Sequence, residues 1–222
     1  MMAATEQQMF IDGRWRSAID GSTQDATSPA TGETIAAVAH GGREDARAAI
    51  AAARAAADGW SRLTAFDRAA RMHAVADVIE ARRDDLARTL TLDQGKPLHA
   101  EAYGEVEELI EYWRMAAEDA KRLGGELPNS FSPGKRVLLT RRPRGVVGVI
   151  SPWNWPYTMP AELIAPALAC GNAVVWTPAP STAVCAVALA ACIAEADLPA
   201  GAFNLVLGPG PVVGDEIARN PA

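Results

Sequence analysis

Between Gly145 and Arg219 one pattern recurs three times: a short uninterrupted apolar run, a turn, and a segment compatible with a helix. GVVGVI is followed by a helical stretch from Thr158 to Cys170, NAVVWT by one from Ser181 to Ala196, and FNLVL by one from Pro211 to Arg219. Apolar strands that alternate with helices predict an α/β fold, a parallel Rossmann-like sheet buried on both faces and flanked by helices. Ligands of such sheets bind beyond the carboxyl ends of the strands, so the residues following Ile150, Val175 and Leu207 are the ones that matter. This region also carries almost no charge: all but six of the chain's Asp, Glu, Lys and Arg residues lie before residue 146, and none falls between Leu163 and Ala194. Pro166, Gly171, Asn172, Pro178 and Pro180 cut that stretch into pieces shorter than the roughly 18 apolar residues a membrane span needs. It is expected to be core.

The preceding part has a different grammar. In MFIDGRW, Asp12-Gly13 between apolar residues predicts a type I′ β-hairpin, and Ile35 to Val38 predicts a further short strand. Three helices are expected next: an Ala-dense one from Glu44 with Gly59 near its end, one from about Ala65 to Leu92, and one from about His99 to Leu123. The last places Tyr103, Val106, Ile110 and Trp113 on one face and a row of Glu on the other. KRVLLTRRPRG has strand character. The chain thus divides into an N-terminal hairpin and helical part (1–125), a bridging strand region (126–145) and an incomplete sheet (146–222). The segment from Ala183 to Ala194 is apolar all round, which predicts cover on both sides from structure downstream or from a partner chain.

A formal net charge of −6 without a basic run excludes nucleic acid as an expected partner. MMAATEQQMF has neither a basic nor an apolar leader region, so the cytoplasm is the expected location. Cys170, Cys185 and Cys192 form no CxxC pair; the last two, seven residues apart on one helix, stand about 10 Å from each other, beyond disulfide reach. All three are read as structural. His40, His73 and His99 form no ligand cluster, and no metal site is expected.

Chemistry concentrates in Ser151-Pro152-Trp153-Asn154-Trp155-Pro156, at the end of the first sheet strand. Two prolines fix the backbone, two indoles supply apolar walls, and the amide of Asn154, buried at a strand's carboxyl end, would be a preorganised donor for negative charge developing on a carbonyl oxygen. The competing reading is that Asn154 only ties down a Pro-flanked turn. Here the sequence resembles the aldehyde dehydrogenase superfamily. The resemblance rests on PWNWP, LDQGKPLHAEA, RRPRGVVGVISP, IAPALACGNAVV and ADLPAGAFNLVLGPG, in the family's order and spacing.

The resemblance implies a cysteine thiolate that attacks an aldehyde, a thiohemiacetal whose oxygen is held by the motif asparagine, hydride transfer to NAD or NADP, and hydrolysis of the thioester. It makes Asn154 the oxyanion donor and runs Ile150, Ser151, Pro152 and Trp153 along the cofactor. The family's nucleophilic Cys and general-base Glu fall beyond residue 222, so this chain alone is expected to be inactive. Family resemblance also implies a homo-oligomer, a dimer or tetramer. An acylating relative, or an inactive nucleotide-binding or interaction module, are the alternative functions.

At the adenosine ribose, relatives place a Lys and, three residues later, a Glu; this chain has Thr177 and Pro180. Losing one charge of each sign predicts weak discrimination between NAD and NADP. Gly208, Gly210 and Gly214 form GxGxxxG, one residue longer than the dinucleotide fingerprint, and the resemblance makes Gly210 and Gly214 cofactor-lining. It also puts Trp155, Met159 and Glu162 on the wall of the aldehyde tunnel. An ionised Glu162 there would disfavour aldehydes that carry a carboxylate; the alternative is an exposed Glu on a surface helix.

Overall fold

The computed structural model describes residues 7–221. Residues 1–6, most of the stretch read above for a leader, lie outside the described residues. The chain opens with a hairpin of β1 (Met9–Ile11) and β2 (Arg14–Arg16). Both turn residues, Asp12 and Gly13, have positive φ, 55° and 72°, as a type I′ turn requires. The hairpin is not a separate element: β1 pairs antiparallel with β7 (Phe203–Leu205), so it extends the main sheet. With β5 (Val146–Ile150) and β6 (Ala173–Thr177) the sheet runs β2-β1-β7-β6-β5, and its last three strands are parallel. A second, two-stranded sheet pairs β3 (Thr23–Thr27) with β4 (Thr34–Ala39).

Helix α1 (Arg43–Arg62) is held at its start by Asp45, whose carboxylate accepts from the backbone of Gly42 (2.9 Å) and Ile19 (3.1 Å). The expected second helix is two helices, α2 (Ala65–Ala81) and α3 (Arg83–Asp93). Arg82 leaves helical geometry at φ −103°, ψ 15°, and its N–H is shared between the carbonyls of Val78 and Ile79. Asp84 and Asp85 then stand in the first turn of α3, where the helix dipole favours negative charge. A wide turn at Leu98–Ala102 leads into α4 (Tyr103–Arg122), followed after β5 by α5 (Thr158–Ala169), α6 (Ala183–Glu195) and α7 (Asp215–Arg219). The right-handed crossover that parallel strands adopt puts α5 and α6 on one face of the sheet, where α2 packs against both. Ile50 of α1 and Ile217 of α7 meet Val146, Gly148 and Val175 on the other.

Three expectations change. Among the described residues KRVLLTRRPRG forms no strand, and its only ladder contact is a single bridge between Glu126 and Leu139. A strand needs a continuous row of backbone partners, and none of the described residues supplies one there. The first sheet strand is not buried on both faces, because β5 is an edge: Gly148 and Ile150 are exposed, and only Val149 is buried. The cover for α6 comes from the chain itself. Helices α2 and α3 pack along it, and Cys185, Leu189, Cys192 and Ile193 are buried in one core continuous with Met72, Val75, Ile79, Leu86 and Leu90.

Candidate active site

At the carboxyl end of β5 the chain goes from anchored to open within one residue. Ser151 is buried: its N–H donates to the Thr177 carbonyl (3.2 Å) and its hydroxyl accepts from the indole of Trp176 (2.9 Å). Pro152, Trp153, Asn154 and Trp155 are all exposed. Pro156 and Tyr157 are buried again, and the Tyr157 hydroxyl donates to the Leu86 carbonyl (3.1 Å). Burial holds the Tyr157 phenol well above its ordinary pKa, so it stays protonated as a donor. The expectation of a buried Asn154 is therefore corrected. Its amide projects from a loop pinned at both ends, makes no hydrogen bond within the described residues, and is free to donate.

The proposed cofactor residues gather at this end of the sheet. Ile150 (52 % exposed) and Trp153 (59 % exposed) both present apolar side chains to solvent. Gly214 adjoins Ile150, since a Cβ there would lie 3.7 Å from its Cδ1, while nothing stands within 4 Å of the space beside Gly210. Trp153 and Pro180 line one groove of about 660 Å³, bordered by Gln24, Asp25 and Ala26 of β3 and by Asp93. Thr177 lies opposite Ile150 in register but is buried, with its hydroxyl unpartnered.

The residues assigned to the tunnel run from the loop into α5. Trp155 precedes α5, yet its carbonyl accepts from Met159 N (3.1 Å), so the helical spacing to Met159 and Glu162 is kept. Glu162 faces α4. Together with Glu108 it holds the proton of the Tyr112 hydroxyl, which donates to Glu108 at 2.9 Å and has its pKa pushed upward.

Two features went unread in the sequence. Glu105, assigned to the polar row of α4, is 1 % exposed and pairs with Lys96, 6 % exposed. Its signal was present: it follows Ala102 by three and precedes Leu109 by four, the spacing of the buried stripe. Asp93 is also buried, and its carboxylate accepts from the backbone N–H of Cys185 (2.8 Å) in the first turn of α6.

None of the three cysteines suits nucleophilic attack. Burial raises the pKa of Cys170, raises that of Cys185 far above the ordinary value, and pushes Cys192 up to about 11. Among the described residues no cluster of His, Cys, Asp or Glu could hold a metal ion, and no helix is long and apolar enough to cross a membrane.

A family model described as Aldehyde dehydrogenase family matches residues 15–222. Glutarate-semialdehyde dehydrogenase of Pseudomonas aeruginosa is 40% identical over 215 residues, 97% of this chain and 44% of the relative. Among solved structures, an NADP-dependent enzyme of Escherichia coli superposes with a TM-score of 0.94 at 40% identity, over 97% of this chain and 45% of that one. Betaine aldehyde dehydrogenase of Staphylococcus aureus in complex with NAD+ gives 0.93 at 36% identity, over 96% and 43%. The chain spans somewhat less than half the length of these relatives. Sequence and fold agree over nearly all of the described residues, and this chain belongs to the aldehyde dehydrogenase family.

Proposed function

We propose that this chain is the N-terminal, cofactor-binding portion of an NAD(P)-dependent aldehyde dehydrogenase that oxidises an aldehyde to a carboxylic acid. The observation that carries the reading is the convergence of Ile150, Trp153 and Asn154 with Gly214 at the carboxyl end of β5. Exposed apolar side chains beside the open space at Gly210 fit a nicotinamide dinucleotide, with Ile150, Ser151, Pro152 and Trp153 along it and Gly210 and Gly214 at its side. When bound, the cofactor supplies a hydride acceptor. The chain's own contribution is the Asn154 amide, which donates to the aldehyde oxygen as negative charge builds there. The nucleophilic cysteine and the general base belong to the part of the relatives that this chain does not cover, and activity, oligomeric assembly and a cytoplasmic location pertain to the whole protein.

The substrate reading follows from Glu162. Glu162 lies seven residues beyond Trp155, exposed on α5, and with Glu108 it places two carboxylates around the Tyr112 hydroxyl. Like charges repel a carboxylate-bearing aldehyde, and an aromatic face beside them attracts a cation. The preferred substrates are therefore neutral or cationic aldehydes.

The test is reduction of NAD+ or NADP+ by the full-length protein with a panel of aldehydes, followed by ultraviolet absorbance. Turnover of betaine aldehyde or an aminoaldehyde above that of succinic semialdehyde is the expected result. Faster turnover of succinic semialdehyde overturns the substrate reading, and silence across the panel overturns the function.

A further inference from the structure

The loop that presents Asn154 has four consecutive exposed residues and no strand or helix of its own, so something else must set its geometry. Its first end is fixed by Ser151 against Trp176 and Thr177. Its second end is fixed by a side chain from a distant helix. Oε1 of Glu105 accepts from the backbone N–H of Tyr157 (2.9 Å) and of Thr158 (3.3 Å), the two amides that open α5. These are among the amides a helix leaves without internal partners, at the end where its dipole favours an anion. The other oxygen, Oε2, meets Nζ of Lys96 at 2.5 Å. That ammonium also stands 3.4 Å from the centroid of the Trp155 ring, a cation–π contact.

We infer that Lys96 and Glu105 form a positioning pair for the reaction, in which Glu105 anchors the exit of the Asn154 loop and Lys96 fixes the ring of Trp155 beside it. The inference rests on the dehydrogenase reading for its kinetic consequences but not for its structural ones. Neither residue touches the reacting atoms. Their effect reaches the chemistry through the backbone of 155–158, so that the amide of Asn154 and the wall next to it are held still while the oxyanion forms. A buried pair of this kind is a poor source of net stability, because desolvation offsets most of the attraction, whereas it fixes geometry well when every polar atom has a partner. Glu105 accepts at both oxygens, and Lys96 is engaged by a carboxylate and a ring.

The inference is tested in the full-length protein by labelling with fluorotryptophan, assigning the Trp155 line with Trp155→Phe, and comparing Lys96→Met with the double variant Lys96→Met/Glu105→Gln. Lys96→Met leaves Glu105 buried without its counter-ion and is expected to lower the melting temperature. The double variant keeps an acceptor for the two backbone amides with no buried charge, and is expected to regain most of the lost melting temperature. In both, the Trp155 fluorine line is expected to shift or broaden while the lines of tryptophans outside the Asn154 loop, Trp60, Trp113 and Trp176 among them, hold, because neither variant restores the cation beneath the ring. In both, kcat falls by about tenfold to a hundredfold with the dissociation constant for NAD(P) unchanged, since small misplacement of a positioned group costs this much. A Trp155 line that stays put in Lys96→Met overturns the inference, as does recovery of kcat alongside melting temperature in the double variant. If the parent protein oxidises no aldehyde, the dehydrogenase reading falls, and the Trp155 line alone decides whether the pair positions the loop.

Discussion

At Gly208 any side chain collides with the backbone: a Cβ would lie 2.4 Å from the carbonyl oxygen of Gly41, and φ is +156°. Gly41 answers from the loop between β4 and α1, donating its N–H to the Leu207 carbonyl at 2.8 Å. Gly208→Ala is accordingly expected to destabilise the protein by about 1–3 kcal/mol, seen as a lower urea midpoint at constant slope. An unchanged midpoint would show that the two segments can separate freely. This requirement was hidden in the sequence, where Gly208 stood first in a GxGxxxG run and its cause lay in a loop far upstream. Asp12-Gly13 was legible because both halves of its signal are adjacent. Glu105 was half legible, since its spacing matched the buried stripe, but its partner Lys96 sits in a turn that carries no period. Thr177 and Pro180 add no charge at the ribose end of the proposed cofactor, so steady-state kinetics are expected to show weak discrimination between NAD and NADP. A preference of several hundredfold for NAD would count against that placement.

Among the elements, α6 shows how cover is arranged. Its apolar circumference suggested cover from beyond the chain, yet α2 and α3 provide it, a packing between segments about a hundred residues apart that no local pattern encodes. The start of α6 is tied to the end of α3 by Asp93, whose pKa is raised chiefly by burial and lowered in part by the hydrogen bond from Cys185. A carboxyl group with a raised folded-state pKa binds its proton more tightly in the native than in the unfolded state. Its contribution is therefore largest at acid pH, below the unfolded value, and is lost as pH rises through the folded one. Asp93→Asn removes this titration and keeps an acceptor for Cys185 N. The stability of Asp93→Asn relative to the parent is expected to rise as pH climbs from the unfolded carboxyl value and to level off above the folded one, and chemical denaturation over a pH series measures it. A difference that is flat with pH would show that Asp93 does not titrate there. At the opposite face, Arg43 and Arg47 hold Asp215 and Glu216 of α7 and lower both carboxyl pKa values, which contributes stability above the unfolded carboxyl pKa that is lost as pH falls.

For the whole molecule, the parallel sheet was legible because uninterrupted apolar runs alternating with helices have few other solutions. The joining of the N-terminal hairpin to that sheet was not, because a single residue pair, Phe10 with Leu205, carries the register. The hairpin, the helices and the sheet share one core, and that core presents the Asn154 loop at an open sheet edge. The central claim is that this amide serves the aldehyde oxygen during oxidation. Asn154 is exposed and makes no hydrogen bond among the described residues, so replacing it leaves the fold intact. In the full-length protein, Asn154→Ala is predicted to lower kcat about 10²–10³-fold, the loss of one oxyanion donor, with cofactor affinity and melting temperature unchanged. A kcat equal to that of the parent would contradict the account.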